Sequence, residues 1–559
     1  MKKGQIITGK ICELKFPNKG ILVCQEEDGK ITKVTVKGTL PGQVVKAQVN
    51  KKRSGNCEAR LLEVIEKSEM QSQEAKCPHF GDCGGCVYQD VPYEKQLELK
   101  ASQVKTIIDE VCENYEFEGI IGSPESFEYR NKMEFSFGDE YKDGPLALGL
   151  HKKGSFHDIV SIKACKIVND DYNVIVKAVL SYFKDMDVAF YHKMKHTGYL
   201  RHLLVRRTKK TEEIMIDLVT TSKWDECGQA ATLSESDMLD GLKDKLLGLE
   251  LNGKIAGILH TYNDSLSDVV QSDKTDILYG CDYIIESILG LNFKISPFSF
   301  FQTNSLGAEV LYEKARSYVG ETKNKVIFDL YSGTGTIAQM LAPVAKRVTG
   351  VEIIEEAVEA AKINAALNGL DNCSFIAGDV LKVIDELTDK PDLIVLDPPR
   401  DGINPKALTK IIDFGVDRMV YISCKPTSLA RDLVMLQERG YKVEKVCAVD
   451  MFPGTTHVET VALLSLKTNQ PKLEVTMEVD SESNYTEEER VTYGKIKEYV
   501  RDKYGVNVHT SYIAQVKRMC GIDMGECYNK SKKDDAEVKQ CPQEKVEYIK
   551  DALRYFCLI

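Results

Sequence analysis

Long apolar runs are absent from this chain. No stretch of about 18 residues is free of charged side chains, so the sequence offers no candidate for a membrane-spanning helix. Lys2 and Lys3 are not followed by the apolar run of a secretory signal. We therefore expect a cytoplasmic protein that does not enter a membrane.

Internal repeats and long low-complexity tracts are also absent. Apolar residues make up 43% of the chain and charged residues 28%, close to the averages of soluble globular proteins, which excludes wholesale disorder. At about 150 residues per domain, a chain of 559 residues is long enough for several hydrophobic cores.

The cysteine content is low for a disulfide scaffold, and the net charge is not basic. The 17 cysteines are scattered and odd in number, unlike those of a small secreted protein, so clustered cysteines indicate metal binding or catalysis. The net charge of −11 argues against a protein that coats nucleic acid without specificity. Residues 1–66 differ from the rest, because they hold 13 basic and 7 acidic residues, a net of +6.

Short strands fill residues 1–66. The segment 30–36 alternates between polar and apolar residues, as a half-buried strand does. Five such segments predict a small closed barrel of the OB type, which frequently binds single-stranded RNA. Lys51-Lys52-Arg53 is expected on a loop, either as an RNA contact or as a solvated turn.

The rest of the sequence divides into three parts. Residues 67–300 mix helix-like and strand-like segments behind a cysteine-rich stretch, and they predict a central α+β domain. In residues 301–467, strands alternate with amphipathic helices, which is typical of an α/β sheet. Residues 468–559 predict a linker and a small helical accessory domain, with helices at 493–504 and 510–520.

A glycine-containing turn follows the strand predicted at 325–331. Gly333 and Gly335 permit a tight turn and close approach of a ligand, and the next strand ends at Glu352, 17 residues after Gly335. A carboxylate there binds ribose hydroxyls and repels a phosphate. The third glycine of the dinucleotide pattern is missing, so a nucleoside without pyrophosphate, such as S-adenosylmethionine, fits better than NAD. A purely structural strand–turn–helix is the alternative.

Two further strand ends carry carboxylates. Asp379 follows the strand predicted at 374–378 and is placed to meet the adenine side of the ligand. Asp397 follows the strand predicted at 392–396 and begins the segment Asp-Pro-Pro-Arg. Open α/β sheets bind their ligands at the carboxyl ends of strands, which favours a binding role over a rigid loop.

A cysteine occupies the end of another strand. Cys424 follows the strand predicted at 418–422, and a helix begins after Pro426. The helix N-terminus and the adjacent Lys425 favour the thiolate, which is the reactive form of cysteine. A lone cysteine is more often a small core residue, but its place in a cofactor-binding sheet indicates a nucleophile.

A carboxylate and a histidine lie near the end of the same region. His457 and Glu459 are two residues apart, so on an extended segment they are expected to face the same way. A carboxylate beside an apolar run is costly unless it is used or paired. Glu459 is therefore a candidate functional residue, with a surface salt bridge as the alternative.

Six segments together resemble the RNA uracil-5-methyltransferases, the family that makes 5-methyluridine in ribosomal and transfer RNA. The resemblance covers roughly residues 1–467, with the segments in the order of the family. It implies a Rossmann-like methyltransferase sheet that uses S-adenosylmethionine, with an N-terminal TRAM or OB-like domain. The segments are Phe301-Gln302-Thr303-Asn304, Asp329-Leu330-Tyr331-Ser332-Gly333-Thr334-Gly335, Val351-Glu352, Asp397-Pro398-Pro399-Arg400, Ser423-Cys424-Lys425-Pro426 and His457-Val458-Glu459.

The resemblance also implies roles for individual residues. Cys424 is implied as the nucleophile that adds to C6 of uracil, and Glu459 as the base that later removes the C5 proton. Such an adduct makes C5 nucleophilic enough to accept a methyl group, and the base must be unpaired or flipped out. The positions that match the S-adenosylmethionine site of the family are Gln302, Tyr331, Glu352, Asp397 and, where the family varies, Asp379.

A cysteine cluster lies ahead of the predicted central domain. Cys77, Cys83 and Cys86 are separated by five and two residues, and Cys165 is a distant fourth candidate. This spacing differs from the paired halves of a zinc knuckle, whereas four thiolates suit a [4Fe–4S] cluster. The same pattern occurs in an iron–sulfur branch of the methyltransferase family, which favours the cluster over zinc or no metal. His79 is interpreted as a loop residue.

Two basic segments, 129–132 and 198–207, also resemble the family. Their arginines and lysines near aromatic residues could hold a phosphate and stack a base, or they could form a solvated strand face. From Lys467 onward the chain holds 16 basic and 17 acidic residues, so the C-terminal extension has no basic footprint and no assigned role.

The leading hypothesis is an S-adenosylmethionine-dependent RNA uridine C5-methyltransferase. The preferred substrate is 23S ribosomal RNA, because the iron–sulfur branch is often ribosomal, and transfer RNA is second. An iron–sulfur redox or sensing protein that binds RNA is one alternative. A methyltransferase acting on another base or on protein is another, but it would leave Cys424 without a role.

Overall fold

The structure is a computed structural model that describes residues 1–25, 31–53, 56–155, 157–228, 233–267, 269–387, 389–467, 493–520 and 541–556. Backbone contacts divide the chain into two units, Met1–Asn469 and Gln470–Ile559. The predicted linker at the start of the C-terminal extension lies outside the described residues. None of the described helices is long and apolar enough to cross a membrane.

Five N-terminal strands close into a barrel with the order β1-β2-β3-β5-β4. They are β1 (Ile6–Lys15), β2 (Lys19–Gln25), β3 (Ile31–Lys37), β4 (Val44–Arg53) and β5 (Asn56–Glu66). The alternating sequence of β3 places Val34 and Val36 in the barrel core, where both are 0% exposed. The five-stranded barrel agrees with the predicted OB-like domain.

The prediction that Lys51-Lys52-Arg53 lies on a loop is wrong. Strand β4 continues through Arg53 and pairs antiparallel with β5, so these residues are part of the barrel wall. Lys51 lies opposite Glu58 in this register, and a cross-strand pair of opposite charge is compatible with a strand. The run of basic residues therefore marks a charged strand end and not a turn.

The next elements form a helix, a strand and a second sheet. The seven-stranded sheet has the order β13-β12-β11-β10-β7-β8-β9, and helices α2 and α3 pack on one of its faces. The elements are α1 (Tyr93–Asp109), β6 (Glu116–Ile121), β7 (Lys132–Asp139), β8 (Leu146–His151), β9 (Ile159–Ser161), α2 (Asp170–Asp185), β10 (Leu200–Arg207), β11 (Glu213–Thr220), α3 (Glu235–Leu247), β12 (Lys254–Tyr262) and β13 (Lys274–Gly280).

An eight-stranded sheet follows, with the order β18-β17-β16-β19-β20-β22-β21-β6, beside a hairpin of β14 and β15. The elements are β14 (Ile284–Ile288), β15 (Leu291–Ile295), α4 (Ser305–Val319), β16 (Val326–Leu330), α5 (Thr336–Leu341), β17 (Arg347–Glu352), α6 (Glu355–Leu367), β18 (Cys373–Ala377), α7 (Val380–Val383), β19 (Leu393–Leu396), α8 (Pro405–Asp413), β20 (Arg418–Ser423), α9 (Pro426–Glu438), β21 (Tyr441–Val449) and β22 (Glu459–Leu466).

Both faces of this sheet are buried. Ile327 and Val395 pack in one core cluster, whereas their neighbours Phe328 and Ile394 pack in the cluster on the other face. Successive strand residues point to opposite faces, so continuous apolar strands fill two cores at once. This is the Rossmann-like α/β arrangement that the sequence predicts.

Two elements of the predicted central domain belong to this sheet instead. Strand β6 pairs in parallel with β21 and extends the sheet by one strand, and α1 contributes Val104 and Ile108 to the core on one face. Pairing with β6 covers the edge that β21 would otherwise expose. The segment before residue 300 is therefore shared between the two sheets.

The second unit contains three described helices, α10 (Tyr493–Tyr504), α11 (Thr510–Met519) and α12 (Gln543–Tyr555). Their shared core includes Ile496, Val500, Ile513, Val516 and Ile549, all 0% exposed. The predicted helix at 493–504 is present, and the second ends one residue before its predicted end.

Candidate active site

The carboxyl ends of the parallel strands form one edge of the eight-stranded sheet. Strands β16, β19 and β20 run parallel, and they are followed directly by Tyr331, Asp397 and Cys424. Strand β22 runs the opposite way, so its first residue, Glu459, lies at the same edge. One edge therefore collects the predicted nucleophile, the predicted base and two of the predicted cofactor residues.

Cys424 is half-buried between the end of β20 and the start of α9, with Lys425 as the N-cap residue of that helix. Burial raises the pKa of the Cys424 thiol to about 11, Glu459 and Asp397 add to this rise, and Arg400 opposes it. The expectation that this position favours the thiolate is therefore wrong for the protein without RNA. The helix terminus and Lys425 do not compensate for burial beside two carboxyl groups.

Glu459 is buried, with 5% of its surface exposed. Burial raises its pKa to about 8, Asp397 contributes to the rise, and Arg400 lowers it. His457 is exposed and lies before the first residue of β22. The expectation that His457 and Glu459 face the same way on one extended segment therefore does not apply. Of these two residues, Glu459 is buried in the site and His457 is not.

Two more carboxyl groups share this environment. Burial raises the pKa of Asp397 to about 7. Burial, with a contribution from Asp397, raises that of Asp329 to about 8, while a hydrogen bond that Asp329 Oδ2 accepts from the amide of Ala338 at 2.9 Å lowers it. Asp329 Oδ1 has no hydrogen-bond partner among the described residues. Burial thus raises the pKa of three neighbouring carboxyl groups, Glu459, Asp397 and Asp329, toward neutral pH or above it.

The glycine turn is joined to Glu352. The amide of Gly333 donates to Glu352 Oε2 at 3.0 Å, and the amide of Ile354 donates to Oε1 at the same distance. Gly335 has a φ of 72°, and a Cβ atom there would lie 2.4 Å from the ring of Phe375. The turn therefore requires glycine at 335 and holds the Glu352 carboxylate beside the backbone amides.

Tyr331 and Asp379 flank this turn. Tyr331 has a φ of 70°, in the left-handed region that side-chain-bearing residues rarely adopt. Burial raises its pKa, and Asp379 contributes to that rise, which places the two side chains in one electrostatic environment. Asp379 also caps α7 by accepting a hydrogen bond from the amide of Leu381 at 3.0 Å. Asp379 thus has a structural role besides the predicted one.

Tyr312, which the sequence analysis did not identify as a site residue, interacts both with Gln302 and with the buried carboxyl groups. Tyr312 of α4 is buried, its pKa is raised by burial and then by Asp397, Asp329 and Glu459, and a hydrogen bond with Gln302 opposes this shift. In the sequence, Tyr312 belongs to a set of apolar residues at helical spacing, a pattern that predicts a core position and not a site residue.

Asn131 is a second residue that was not assigned to the site. Its Nδ2 donates to the carbonyl oxygen of Gln302 at 3.0 Å and to Ser305 Oγ at 2.8 Å, and its amide donates to the carbonyl of Thr303 at 2.8 Å. Asn131 therefore ties the segment that carries Gln302 to the start of β7.

The predicted cysteine ligands lie in one neighbourhood. Burial is the main cause that raises the pKa of Cys83, of Cys86 (to about 12) and of Cys165 (to about 11). Cys77 contributes electrostatically to the rise in all three, and Cys83 contributes to that of the other two. Residues 77–86 and Cys165 are thus brought together by the fold.

The same neighbourhood assigns a structural role to His79. Its Nε2 accepts hydrogen bonds from the amides of Lys163 at 2.9 Å and Ala164 at 3.4 Å, which fixes the segment leading into Cys165. Among the residues that the structure describes, no group of three or more His, Cys, Asp or Glu side chains is placed to hold a metal ion. The four thiols are neighbours, but they do not form an established metal site.

Tyr129 of the first basic segment and the arginines of the second are buried, whereas Arg130 and Lys132 of the first are half-buried. Tyr129 is buried and donates its hydroxyl to the carbonyl of Pro453 at 3.0 Å, so it is not available to stack on a base. In β10, Arg201, Arg206 and Arg207 are all buried. Arg201 and Arg206 donate to loop carbonyls, and Arg207 pairs with Asp171 at 2.9 Å. These three arginines form neither an RNA contact nor a solvated strand face, because each guanidinium is buried and donates to oxygen atoms of the protein.

The chain is similar to proteins of one methyltransferase family. A family model described as tRNA (Uracil-5-)-methyltransferase matches residues 92–467. An uncharacterized RNA methyltransferase of Clostridium tetani is 49% identical over 468 residues, which cover 84% of this chain and 99% of the relative. One from Caldanaerobacter subterraneus is 47% identical over 465 residues, covering 83% and 99%.

A solved structure agrees with the architecture. The crystal structure of Pyrococcus abyssi tRNA (uracil-54, C5)-methyltransferase in complex with S-adenosyl-L-homocysteine aligns with a TM-score of 0.63 and 26% sequence identity. The alignment covers 82% of this chain and 99% of the archaeal protein. The chain therefore belongs to the tRNA (uracil-5-)-methyltransferase family and is an RNA (uracil-5-)-methyltransferase that uses S-adenosyl-L-methionine.

Proposed function

We propose that this protein methylates C5 of a uridine in 23S ribosomal RNA through a covalent adduct between Cys424 and C6 of the base. The observation that carries the proposal is the meeting of Cys424, Glu459 and Asp397 at one sheet edge. The pKa of Cys424 responds to both carboxyl groups, which supports the proposal that the three side chains surround one reacting centre.

The chemistry divides one difficult step into easier ones. The Cys424 thiol gives its proton to solvent, its sulfur bonds to C6, and the electrons of the C5–C6 double bond move into an enolate that makes C5 nucleophilic. C5 then takes the methyl group from the sulfonium of S-adenosylmethionine, which leaves as the homocysteine thioether. Glu459 finally accepts the C5 proton as a general base, the double bond re-forms, and Cys424 leaves as a thiolate.

Arg400 is the cation that favours the reactive ionisation states. Cys424, with a pKa of about 11, is a neutral thiol near pH 7, and Glu459, with a pKa of about 8, retains its proton. Arg400 lowers the pKa of both groups. We propose that it assists loss of the thiol proton from Cys424 and of the carboxyl proton from Glu459 to solvent, so that Glu459 can act as the base.

The cofactor proposal assigns the glycine turn to S-adenosylmethionine. Glu352 is proposed to bind the ribose hydroxyls, supported by its position beside the Gly333 amide. Gln302, Tyr331 and Asp397 are proposed to line the rest of the site, and Asp379 to approach the adenine side. Two observations support this arrangement. Tyr312 is influenced by both Asp397 and Gln302, and Asp379 contributes to the raised pKa of Tyr331.

The cysteine neighbourhood is proposed to hold a [4Fe–4S] cluster through Cys77, Cys83, Cys86 and Cys165. Four mutually interacting thiols are the donor set that such a cluster requires. The cluster supplies no electrons to methyl transfer, so its proposed chemistry is limited to cross-linking these segments.

Two observations bear on which RNA is the substrate: the cysteine pattern and the similarity to a tRNA methyltransferase. The cysteine pattern resembles the iron–sulfur branch that is often ribosomal, which favours 23S ribosomal RNA, and the TRAM-like barrel would contact the RNA near the target. Transfer RNA is the second candidate, because the Pyrococcus neighbour is a tRNA (uracil-54, C5)-methyltransferase. A cytoplasmic location, where thiols stay reduced, fits either substrate.

The experiment that tests the proposal is the mapping of 5-methyluridine in RNA from cells that lack the protein. Loss of a 5-methyluridine from 23S ribosomal RNA, restored by the wild-type gene but not by Cys424→Ala, supports it. Loss from transfer RNA alone supports the second candidate. An unchanged 5-methyluridine content in both RNAs rejects the proposed reaction.

A further inference from the structure

The loop that leads to Glu459 is fixed at its first residue. Val449, the last residue of β21, pairs with Glu459 across the hairpin, so residues 450–458 form the connection between the two strands. Asp450 begins this loop and is 0% exposed. Any contact that holds Asp450 therefore also holds the end of the hairpin that carries Glu459.

Helix α1 supplies a buried cation to this residue. Lys100 Nζ lies 2.7 Å from Asp450 Oδ1, and the two side chains are 1% and 0% exposed. Lys100 Nζ also donates to the carbonyl of Phe452 at 3.1 Å, while the Phe452 amide donates to Asp450 Oδ1 at 3.1 Å. A buried ion pair contributes little net stability, because both charges lose their hydration, so its main effect here is to fix the loop geometry.

A second side chain of the same helix holds the middle of the loop. Gln96 Oε1 accepts a hydrogen bond from the Gly454 amide at 2.8 Å, and its Nε2 donates to the carbonyls of Tyr88 at 2.9 Å and Val91 at 2.8 Å. The amides of Val87 and Tyr88 both donate to the Gly454 carbonyl, at 2.7 and 3.0 Å. Both backbone groups of Gly454 are therefore held.

Two further contacts connect the loop to the site and to the cysteines. Asn304, which follows the cofactor candidate Gln302 in the chain by two residues, donates its Nδ2 to the Met451 carbonyl at 2.9 Å. Val87, which anchors Gly454, directly follows Cys86. The loop is thus held by α1, by the cysteine segment and by the start of α4.

We propose that Lys100 and Gln96 are positioning residues for Glu459, and that they control removal of the C5 proton and not the earlier attack by Cys424. This inference rests on the proposed function. In the controlled step, the Glu459 carboxylate takes the proton from C5, and the electron pair of the C5–H bond forms the C5–C6 double bond. The C6–S bond breaks as this double bond forms, and its electrons leave with Cys424 as a thiolate.

The geometry gives the proposal its specificity. The contacts named above join Lys100 and Gln96 to residues 450–454 and to the segment 88–91, whereas Cys424 lies on the connection between β20 and α9. Loosening the loop therefore displaces the base while leaving the nucleophile in place. An enzyme in this state forms the adduct and transfers the methyl group but releases the product slowly.

The test compares Lys100→Met and Gln96→Leu with Lys105→Met in the full-length protein. Lys105 lies on the same helix and pairs with Asp109 at the surface, with side chains 52% and 46% exposed, so it is a matched control. Each protein is incubated with S-adenosylmethionine and unmodified RNA. The readouts are the fraction of covalent complex that survives denaturation, the rate of 5-methyluridine release, the KM for RNA and the affinity for S-adenosylmethionine.

We expect Lys100→Met and Gln96→Leu to accumulate about tenfold more covalent complex than the wild type, with kcat lowered about tenfold and with KM and cofactor affinity unchanged. Lys105→Met behaves as the wild type. If Lys100→Met does not fold, Gln96→Leu, which leaves the ion pair intact, decides the question. Variants that lose turnover without accumulating complex, or that turn over normally, overturn the positioning role.

Different results would contradict the proposed function and the positioning role of Lys100 and Gln96. A wild-type protein that makes no 5-methyluridine defeats the proposed function itself. A wild-type protein that methylates RNA, together with variants whose covalent fraction stays at the wild-type level, defeats only the positioning of Glu459 by Lys100 and Gln96.

Discussion

Cys424 and Glu459 flank one rung of the sheet, because Ser423, which precedes the cysteine, pairs with Thr460, which follows the glutamate. The antiparallel register of β20 and β22 thus brings the two side chains to the same edge. Their electrostatic coupling follows from this, since Glu459 raises the pKa of Cys424. A nucleophile and a base held this way can act on adjacent atoms of one ring.

Replacing the proposed base separates the two halves of the reaction. Glu459→Gln retains the size of the side chain but accepts no proton, so we expect a covalent protein–RNA complex to accumulate on ordinary RNA. Turnover should fall by about 10²–10⁴-fold, the usual contribution of a general base. Denaturing gel electrophoresis measures the complex, and Glu438→Gln, at an exposed position on α9, is the control. Product release by Glu459→Gln at the wild-type rate would remove this residue from its role.

The raised pKa of Glu459 predicts a pH-dependent effect on stability. The pKa is about 8 in the folded protein and 4.5 ordinarily, so the folded state keeps a proton that the unfolded state loses between these values. The stabilising contribution is complete below pH 4.5 and is lost as the pH rises through 8. Glu459→Gln should therefore raise the Tm by at least about 2 °C at pH 9 and change it little at pH 5. Equal Tm differences at both pH values would contradict the assigned shift.

Glu352 is predicted to control cofactor affinity. Replacing its carboxylate by an amide weakens hydrogen bonds to the ribose, and bonds to a charged group contribute about 1.5–3 kcal/mol, so the Kd for S-adenosylmethionine should rise about 10–100-fold in Glu352→Gln. Calorimetric titration measures this. Glu355→Gln, on the exposed first turn of α6, should bind as the wild type does. An unchanged Kd in Glu352→Gln would show that the ribose lies elsewhere.

The cysteine neighbourhood predicts bound iron. Protein purified without oxygen should be brown and contain about four irons, as expected of a [4Fe–4S] cluster. Cys165→Ser should lower the iron content, because this residue supplies the ligand from a distant part of the chain. Cys281→Ser, at an exposed position, is the control and should retain the full iron content. A colourless protein that binds zinc would show that these cysteines hold zinc and not an iron–sulfur cluster.

Much of the sheet edge could be predicted because its signals are local. Glu352 is the last residue of an apolar strand, Asp397 and Cys424 each follow one directly, and in a parallel sheet these strand ends meet at one edge. The barrel was predictable for the same reason, since alternation within each short strand determines which residues enter its core.

The errors concern properties that depend on distant partners. The thiolate expectation for Cys424 failed because Glu459 and Asp397, which raise its pKa, come from other strands. Arg206 looked like an RNA contact because its partner, the loop carbonyl of Pro297, is 91 residues away and carries no sequence signal. The pairing of β6 with β21 could not be predicted, because nothing in the sequence of β6 indicates this partner strand.

The most direct test of the central claim is trapping with RNA that contains 5-fluorouridine. Fluorine at C5 cannot leave as a proton, so the adduct should persist after methyl transfer. In the presence of S-adenosylmethionine, we expect a complex that survives denaturation and maps to Cys424, and that is absent from Cys424→Ala but present in Cys281→Ala. A full yield of complex with Cys424→Ala, or none with the wild type, would contradict the proposed mechanism.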